Sequence, residues 1–297
     1  LDKRHTPSNG KLISLWPCRT GVLVQDSHAY FAASMLPWEK SYLCAVDFMT
    51  GKPVGEGCFQ TEQSGVTLQG ALLASTDSLY VPQGRAAPLV YEKSTGKSRG
   101  SIPNAGGTYC LLTEEDQLIS GPQNQKEKDQ VLRVADGTRR SHLLTFRGTN
   151  RMLVNKQFAY LHQGENLTAL DRVSYVDLQD EKRQLLAKQA AIAKQLKGRK
   201  NDQTLKSQHS ETGSRIQMLT TSLPKCFKWK IPCGHPIGFA MGGNTLYVGG
   251  DGIVMAFNAS NGKKQWSAKV DGKAYGLAIS NGRLLVSTDK GHIHCFQ

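Results

Sequence analysis

The side chains best suited to chemistry stand in pairs. His292 and His294 are two residues apart in the run His292-Ile293-His294-Cys295-Phe296. On a strand, that step places both on one face. Cys233 and His235 have the same spacing beside a loop. Imidazole and thiolate are zinc and copper ligands, but such a site takes three or four of them. Nothing in the sequence brings the two pairs together. No metal is therefore expected, and His292, His294, Cys233 and His235 are the candidates if one binds. No G-x-S-x-G motif, nucleotide-binding glycine motif or C-x-x-C-H haem attachment stands in a suitable context. No catalytic residue is assigned.

The seven cysteines (Cys18, Cys44, Cys58, Cys110, Cys226, Cys233 and Cys295) are scattered and odd in number, so they are not a disulfide framework. Cys44, Cys110 and Cys295 lie in strand-like apolar runs and read as small core residues. The formal net charge is +13. Such a balance favours acidic partners: nucleic acid, anionic lipid or polyanionic polysaccharide. No nucleic-acid motif accompanies it, so nucleic acid is not an expected partner. Between residues 173 and 222, nine Lys and Arg stand against five Asp and Glu. They are densest at Lys194, Lys197, Arg199 and Lys200. That cluster suits a docking arm for a protein partner or polyanion; a solvated decoration is the plainer reading.

The basic segment reads as helix. Leu178, Leu185 and Ile192 are seven apart, flanked by Lys182, Gln189 and Leu196, which gives one narrow apolar stripe. Residues 198–202 read as a turn, and Leu205, Thr212, Ile216 and Leu219 continue at helical spacing. The simplest structure over 173–222 is an antiparallel helical hairpin. The rest reads as short strands. The chain holds 30 glycines, clustered between apolar runs. No apolar stretch approaches the ~18–20 residues that span a bilayer. The start, Leu1-Asp2-Lys3-Arg4-His5, is polar and does not begin with Met. A processed product or a piece of a longer protein is the expectation, and the compartment is not readable from these residues.

A strand pattern recurs around Tyr30, Tyr80, Ile119, Tyr160, Tyr247 and Leu285. The steps are about 40–50 residues, the length of one four-stranded propeller blade, with one double step that holds the hairpin. A second pattern follows the first. Its clearest copy runs from Val254 to Trp266 through Gly262, with others at Leu43–Lys52 through Asp47 and Gly51 and at Leu89–Lys97 through Gly96. It reads as strand, polar turn, strand: Asp or Asn caps the turn and Gly supplies positive φ. The terminal Trp can pack flat between neighbouring blades. Between Asp171 and Trp229 the hairpin splits this motif.

At Asp251-Gly252-Ile253-Val254-Met255-Ala256-Phe257 through Trp266, the sequence resembles the PQQ-like repeat of the quinoprotein-alcohol-dehydrogenase-like propellers. The segment 19–52 is also similar to uncharacterised bacterial members, planctomycete-type ones included. The resemblance implies an all-β propeller of about six four-stranded blades, with seven, eight or an open fragment as alternatives. Blades would fill 1–172 and 223–297, with the hairpin between. The last repeat shows three strands, and Lys11–Trp16 is expected to supply the fourth. Catalytic members of that superfamily hold PQQ beside a disulfide of adjacent cysteines, with calcium or a lanthanide on Glu, Asn and Asp. This sequence offers no such set. The expected function is a non-catalytic scaffold for a protein partner or small ligand, without cofactor, monomeric, and periplasmic or secreted by resemblance. A PQQ- and calcium-dependent alcohol or sugar oxidoreductase with a non-standard site is one alternative. A carbohydrate- or polyanion-binding module is another.

Overall fold

The computed structural model describes residues 4–122, 131–235 and 237–297. Leu1, Asp2 and Lys3 of the polar start lie outside the described residues. The chain divides into two compact units, Leu1–Phe146 and Arg147–Gln297.

The first unit opens with a hairpin, His5–Ser8 on Lys11–Ser14. Three antiparallel sheets follow, each with its four strands in sequence order. The first sheet is Leu23–Gln25, His28–Ala33, Ser41–Asp47 and Phe59–Gln63. The second is Leu73–Ala74, Ser78–Gln83, Ala86–Glu92 and Ser98–Ser101. The third is Tyr109–Leu112, Gln117–Gly121, Val131–Asp136 and Ser141–Arg147. In the second unit, the fourth sheet is Thr149–Val154, Phe158–Gln163, Asn166–Asp171 and Phe227–Pro232. The fifth is Gly238–Gly242, Thr245–Gly249, Asp251–Asn258 and the start of the long strand Lys264–Ser280. That strand bends at Gly272 and its second half begins the sixth sheet, with Arg283–Thr288 and Ile293–Phe296. These are the blades of a β-propeller.

The sixth sheet has three strands among the described residues, as the sequence suggests. Lys11–Ser14, the strand expected to complete it, is paired within the first unit. It folds back through Asn9 and Gly10, both at positive φ, onto His5–Ser8 in a two-stranded sheet. A two-residue turn makes that local pairing cheap in chain entropy. Trp16 is buried against the first sheet instead. Its indole N–H donates to Lys40 O at 2.7 Å and its ring meets Tyr42 edge-on at 6.0 Å.

The cores lie between consecutive sheets. Tyr30, Leu43, Leu68, Leu79, Val81 and Tyr91 join the first two. Tyr160, Leu167, Leu246, Val248 and Phe257 join the fourth and fifth. Each fully buried side chain of this size stabilises by roughly 1.5–3 kcal/mol. Of the thiols expected in these cores, Cys44 is buried and Cys110 half-buried, and burial pushes Cys110 up to about 12. Cys295, expected in a core as well, is exposed on Ile293–Phe296, which pairs with Arg283–Thr288 on one side and with no other strand among the described residues.

The polar turn of the repeat has one geometry. In the first sheet, Asp47 Oδ1 accepts from Thr50 N at 2.8 Å, and Gly51 N donates to Asp47 O at 2.8 Å. In the fifth, Asn258 Oδ1 accepts from Ser260 N at 3.0 Å, and Gly262 N donates to Asn258 O at 2.8 Å. Gly51, Gly96 and Gly262 occupy the left-handed region, at φ 68°, 68° and 71°. The outer strand then aligns Phe59 with Ala45, Trp229 with Ala169 and Trp266 with Ala256. These aromatics reach forward onto the next sheet. Trp229 lies against Gly262, where a Cβ would sit 2.9 Å from the indole, and its N–H donates to Ala259 O at 2.9 Å. Phe59 lies against Gly96 in the same way.

This packing predicts unequal costs for two glycines of similar φ. Gly262→Ala adds an indole clash to left-handed strain and is expected to cost about 2–5 kcal/mol in urea denaturation. Gly252→Ala, at φ 72° with open space around it, is expected to cost about 1–2 kcal/mol. Equal costs would remove the aromatic contact as a determinant of stability.

Candidate functional site

The split motif is where the chain departs most from its own repeat. Asp171 stands where Asp47 stands in the first sheet, and it accepts from the N–H three residues on, Ser174 N, at 3.3 Å. Here the turn does not close. The same bond caps helix α1, Arg172–Gly198. Helix α2, Gln203–Ser222, returns the chain, and a 3₁₀ turn at Leu223–Cys226 leads into the outer strand. Ala169 still pairs with Trp229 across the sheet, so the insertion leaves the register intact.

The root of the arm is tied down. Asp171 is 6% exposed and lies 3.4 Å from Lys228 Nζ. Arg172 is buried, and its guanidinium donates to Asn155 O and Lys156 O at 2.9 Å each. Leu223 and Cys226 are buried, and Tyr175 meets Phe227 edge-on at 5.6 Å. The repeat makes Asp171 visible in the sequence. Arg172 carries no such signal, because its partners are backbone carbonyls 16 and 17 residues back.

Along the arm, Ile192, Thr212 and Leu219 are buried, and Leu178, Leu185, Leu196, Leu205 and Ile216 are half-buried. This is the expected stripe, with Val176 added near the root. Arg215 clamps Glu181 with two hydrogen bonds, 2.7 and 2.9 Å, from one helix to the other. That pair spans 34 residues, so helical spacing could not reveal it. Lys194, Lys197, Arg199 and Lys200 are all exposed at the end of α1 and in the turn. The rise along α1, a helix of 27 residues, places them roughly 33–40 Å from the root. The helix C-terminus favours cations there. Among the described residues, none of the four makes an ion pair.

The metal candidates are placed apart in function. His292 Nδ1 lies 3.1 Å from Asp271 Oδ2, and His294 Nε2 accepts from Asp271 N at 3.2 Å. Asp271 also holds Lys290 at 2.6 Å. Both histidines thus share one face, but they serve the bend of the long strand. Cys233 and His235 border a cleft of about 460 Å³ with Glu165, Met255 and Lys264. Cys233 O receives His162 Nε2–H at 2.7 Å. His162 has no signal in the sequence beyond its strand; burial holds its imidazole below the ordinary value, and its Nδ1 has no partner among the described residues. Among the described residues, no three His, Cys, Asp or Glu side chains converge as a metal site. Quinone chemistry of the kind the resemblance implies needs adjacent cysteines and a Glu/Asn/Asp set. The seven cysteines are free thiols and no two are adjacent, so the residues present do not fit it.

A family model described as outer membrane protein assembly factor BamB matches residues 201–296. No curated protein matches the chain. Among solved structures, the computationally designed Ika8 protein is 10% identical with a TM-score of 0.56, over 93% of this chain and 70% of that one. Hsv2 of Kluyveromyces lactis is 11% identical with a TM-score of 0.52, over 91% and 71%. BamB of Moraxella catarrhalis is 14% identical with a TM-score of 0.45, over 98% and 84%. The first two are similar in fold. Among the described residues, no helix is long and apolar enough to cross a membrane.

Two outcomes test the arm's construction. Asp171→Ala is expected to lower stability by about 0.5–2 kcal/mol in thermal unfolding followed by helical circular dichroism, while Asp171→Asn keeps the cap. The hydrogen bonds from Arg215 hold the Glu181 carboxyl below its ordinary value. A lowered folded-state value stabilises above the unfolded value, about 4.3, and the effect is lost as pH falls through the folded one. The stability difference between wild type and Glu181→Gln is therefore full near neutrality and vanishes in acid.

Proposed function

We propose that this β-propeller, similar over residues 201–296 to a PQQ-like repeat family model, is an interaction scaffold whose helical arm docks an acidic surface on a protein partner. One observation carries this reading: four exposed cations, Lys194, Lys197, Arg199 and Lys200, stand at the far end of an arm anchored by buried residues. Other charges of the arm are used inside it, as Arg215 with Glu181 and Arg183 with Asp180. Unpaired like charges on an extended arm raise encounter rates with an opposite surface and suppress wrong partners. The family model's description as an assembly factor supports a protein partner and a periplasmic or secreted setting.

Photo-crosslinking from positions 197 and 200 in the source cell tests this. A defined protein adduct is expected. Its affinity is expected to fall at least about tenfold when Lys194, Lys197, Arg199 and Lys200 are all changed to Glu, and to weaken with salt. Deletion of residues 173–222, with the strands rejoined by a repeat turn, should abolish the adduct's binding. Unchanged binding after the deletion, or capture of sulfated polysaccharide with no protein adduct, would overturn the reading.

A further inference from the structure

The first unit contains a cavity whose charge is opposite to that of the chain. It opens between the turns of the first and second sheets and has a volume of about 510 Å³. Four carboxylates border it, Asp26, Glu56, Asp77 and Glu92, against the cations Lys93 and Arg99. The protein as a whole carries a net charge of +13, so this is a local inversion.

The cavity is built from fixed parts. His28 bridges two segments: its Nδ1 lies 2.8 Å from Asp26 O and its Nε2 2.9 Å from Glu56 O. Gly57 permits that approach, since a Cβ there would sit 2.9 Å from His28 Nε2. Lys93, 8% exposed, donates from Nζ to Asp26 Oδ2 at 2.9 Å, and its backbone N–H donates to Asp77 O at 2.9 Å. Arg99 donates to Glu92 Oε1 at 3.2 Å and to Ser78 Oγ at 3.0 Å.

Those bonds consume two carboxylates and both cations. Two groups of acceptors are left over. The rim carboxylates of Glu56 and Asp77, on exposed residues, have no ion-pair or hydrogen-bond partner among the described residues. Deeper in, Tyr30 borders the cavity although the residue is only 2% exposed, and its hydroxyl likewise has no described partner. A phenol buried to this degree ordinarily finds one. Burial and the Asp26 charge push that hydroxyl above its ordinary value, which keeps it a neutral donor and acceptor.

We propose that this cavity binds a small hydroxylated organic ammonium ion of amino-sugar size, the ammonium between Glu56 and Asp77 and a hydroxyl on Tyr30. The unpaired carboxylates supply charge-assisted acceptors for N–H groups. The paired Asp26–Lys93 and Glu92–Arg99 walls are polar and hydrogen-bonding rather than apolar, which suits a hydroxylated body over an aliphatic amine. The volume admits one or two pyranose rings. This site lies in the first unit, so it stands or falls independently of the helical arm.

Isothermal titration of the full chain with glucosamine, with glucose as the neutral analogue and glucuronate as the anionic one, tests the inference. Saturable binding of glucosamine is expected, with glucose at least about tenfold weaker and glucuronate weaker still. Glu56→Gln with Asp77→Asn should weaken glucosamine by at least about tenfold and reduce its preference over glucose. These are exposed positions, so folding is expected to be retained. Tyr30→Phe keeps the ring and should weaken both sugars together while leaving thermal unfolding unchanged. No saturable binding of glucosamine, equal binding of glucose, or affinity untouched by the rim variant would overturn the proposal.

Discussion

The contact between an outer-strand aromatic and the next sheet's turn glycine is what couples one blade to its neighbour. It requires a residue without Cβ and with positive φ at one position, and a flat side chain at another, on consecutive repeats. Gly96 under Phe59 and Gly262 under Trp229 meet it. The second and third sheets meet it in reverse. Gly100, aligned with Val90, stands where the aromatic belongs. Arg140, at φ 53°, stands where the glycine belongs, and a Cβ on Gly100 would sit 2.7 Å from its guanidinium. The large partner has moved from the strand to the turn, and the small one from the turn to the strand. Close packing favours one large and one small partner at such a contact, whichever element supplies each.

The same constraint explains where an insertion of this size can be carried. The strands and their inter-sheet cores fix the register, and the aromatic needs the following sheet's turn rather than its own. Trp229 therefore keeps its seat on Gly262 although the turn of its own sheet has been replaced by two helices. Closing a longer loop adds little entropy cost when its ends are already held. The hydrogen bond that tightens an ordinary turn at Asp47 begins a helix at Asp171 without moving the strand before it.

The sequence exposes this architecture wherever the signal is local. The strand pattern around Tyr30, Tyr80, Ile119, Tyr160, Tyr247 and Leu285 and the split between Asp171 and Trp229 are adjacent or periodic features, and each is found in place. The hairpin stripe of Leu178, Leu185 and Ile192 is legible for the same reason. What is not legible depends on residues far apart. The third sheet's turn is hidden because Arg140 replaces its glycine, and it becomes recognisable only beside Gly100. Lys11–Trp16 has strand character, but its partner was set by a two-residue turn rather than by the need of the last sheet. Lys93 and Asp26 are 67 residues apart, and the repeat pattern that contains Lys93 does not point to Asp26. The basic tip of the arm was legible as composition; its anchoring through Arg172 was not.

One backbone position links these long-range features. The residue after the turn's acidic or amide cap donates its N–H to the preceding hairpin of the same sheet in five sheets: Phe48 to Ser27 O, Lys93 to Asp77 O, Gly137 to Asp116 O, Arg172 to Gln157 O and Ala259 to Asn244 O. The backbone is therefore fixed while the side chain differs from sheet to sheet. Its identity then decides what each blade does at its edge. Gly137 leaves room for the Tyr80 hydroxyl, which donates to Asp116 at 2.6 Å. Ala259 is small enough to join the core beside Trp229, to which it also offers its backbone carbonyl. Lys93 reaches back to Asp26 of the preceding sheet and lines the cavity, and Arg172 turns into its own sheet and seats the arm. A position rigid in backbone and variable in side chain lets a repeated blade acquire a separate chemistry without disturbing the packing that all blades share. Both the cavity and the arm grow from it, on sheets whose cores differ little in kind.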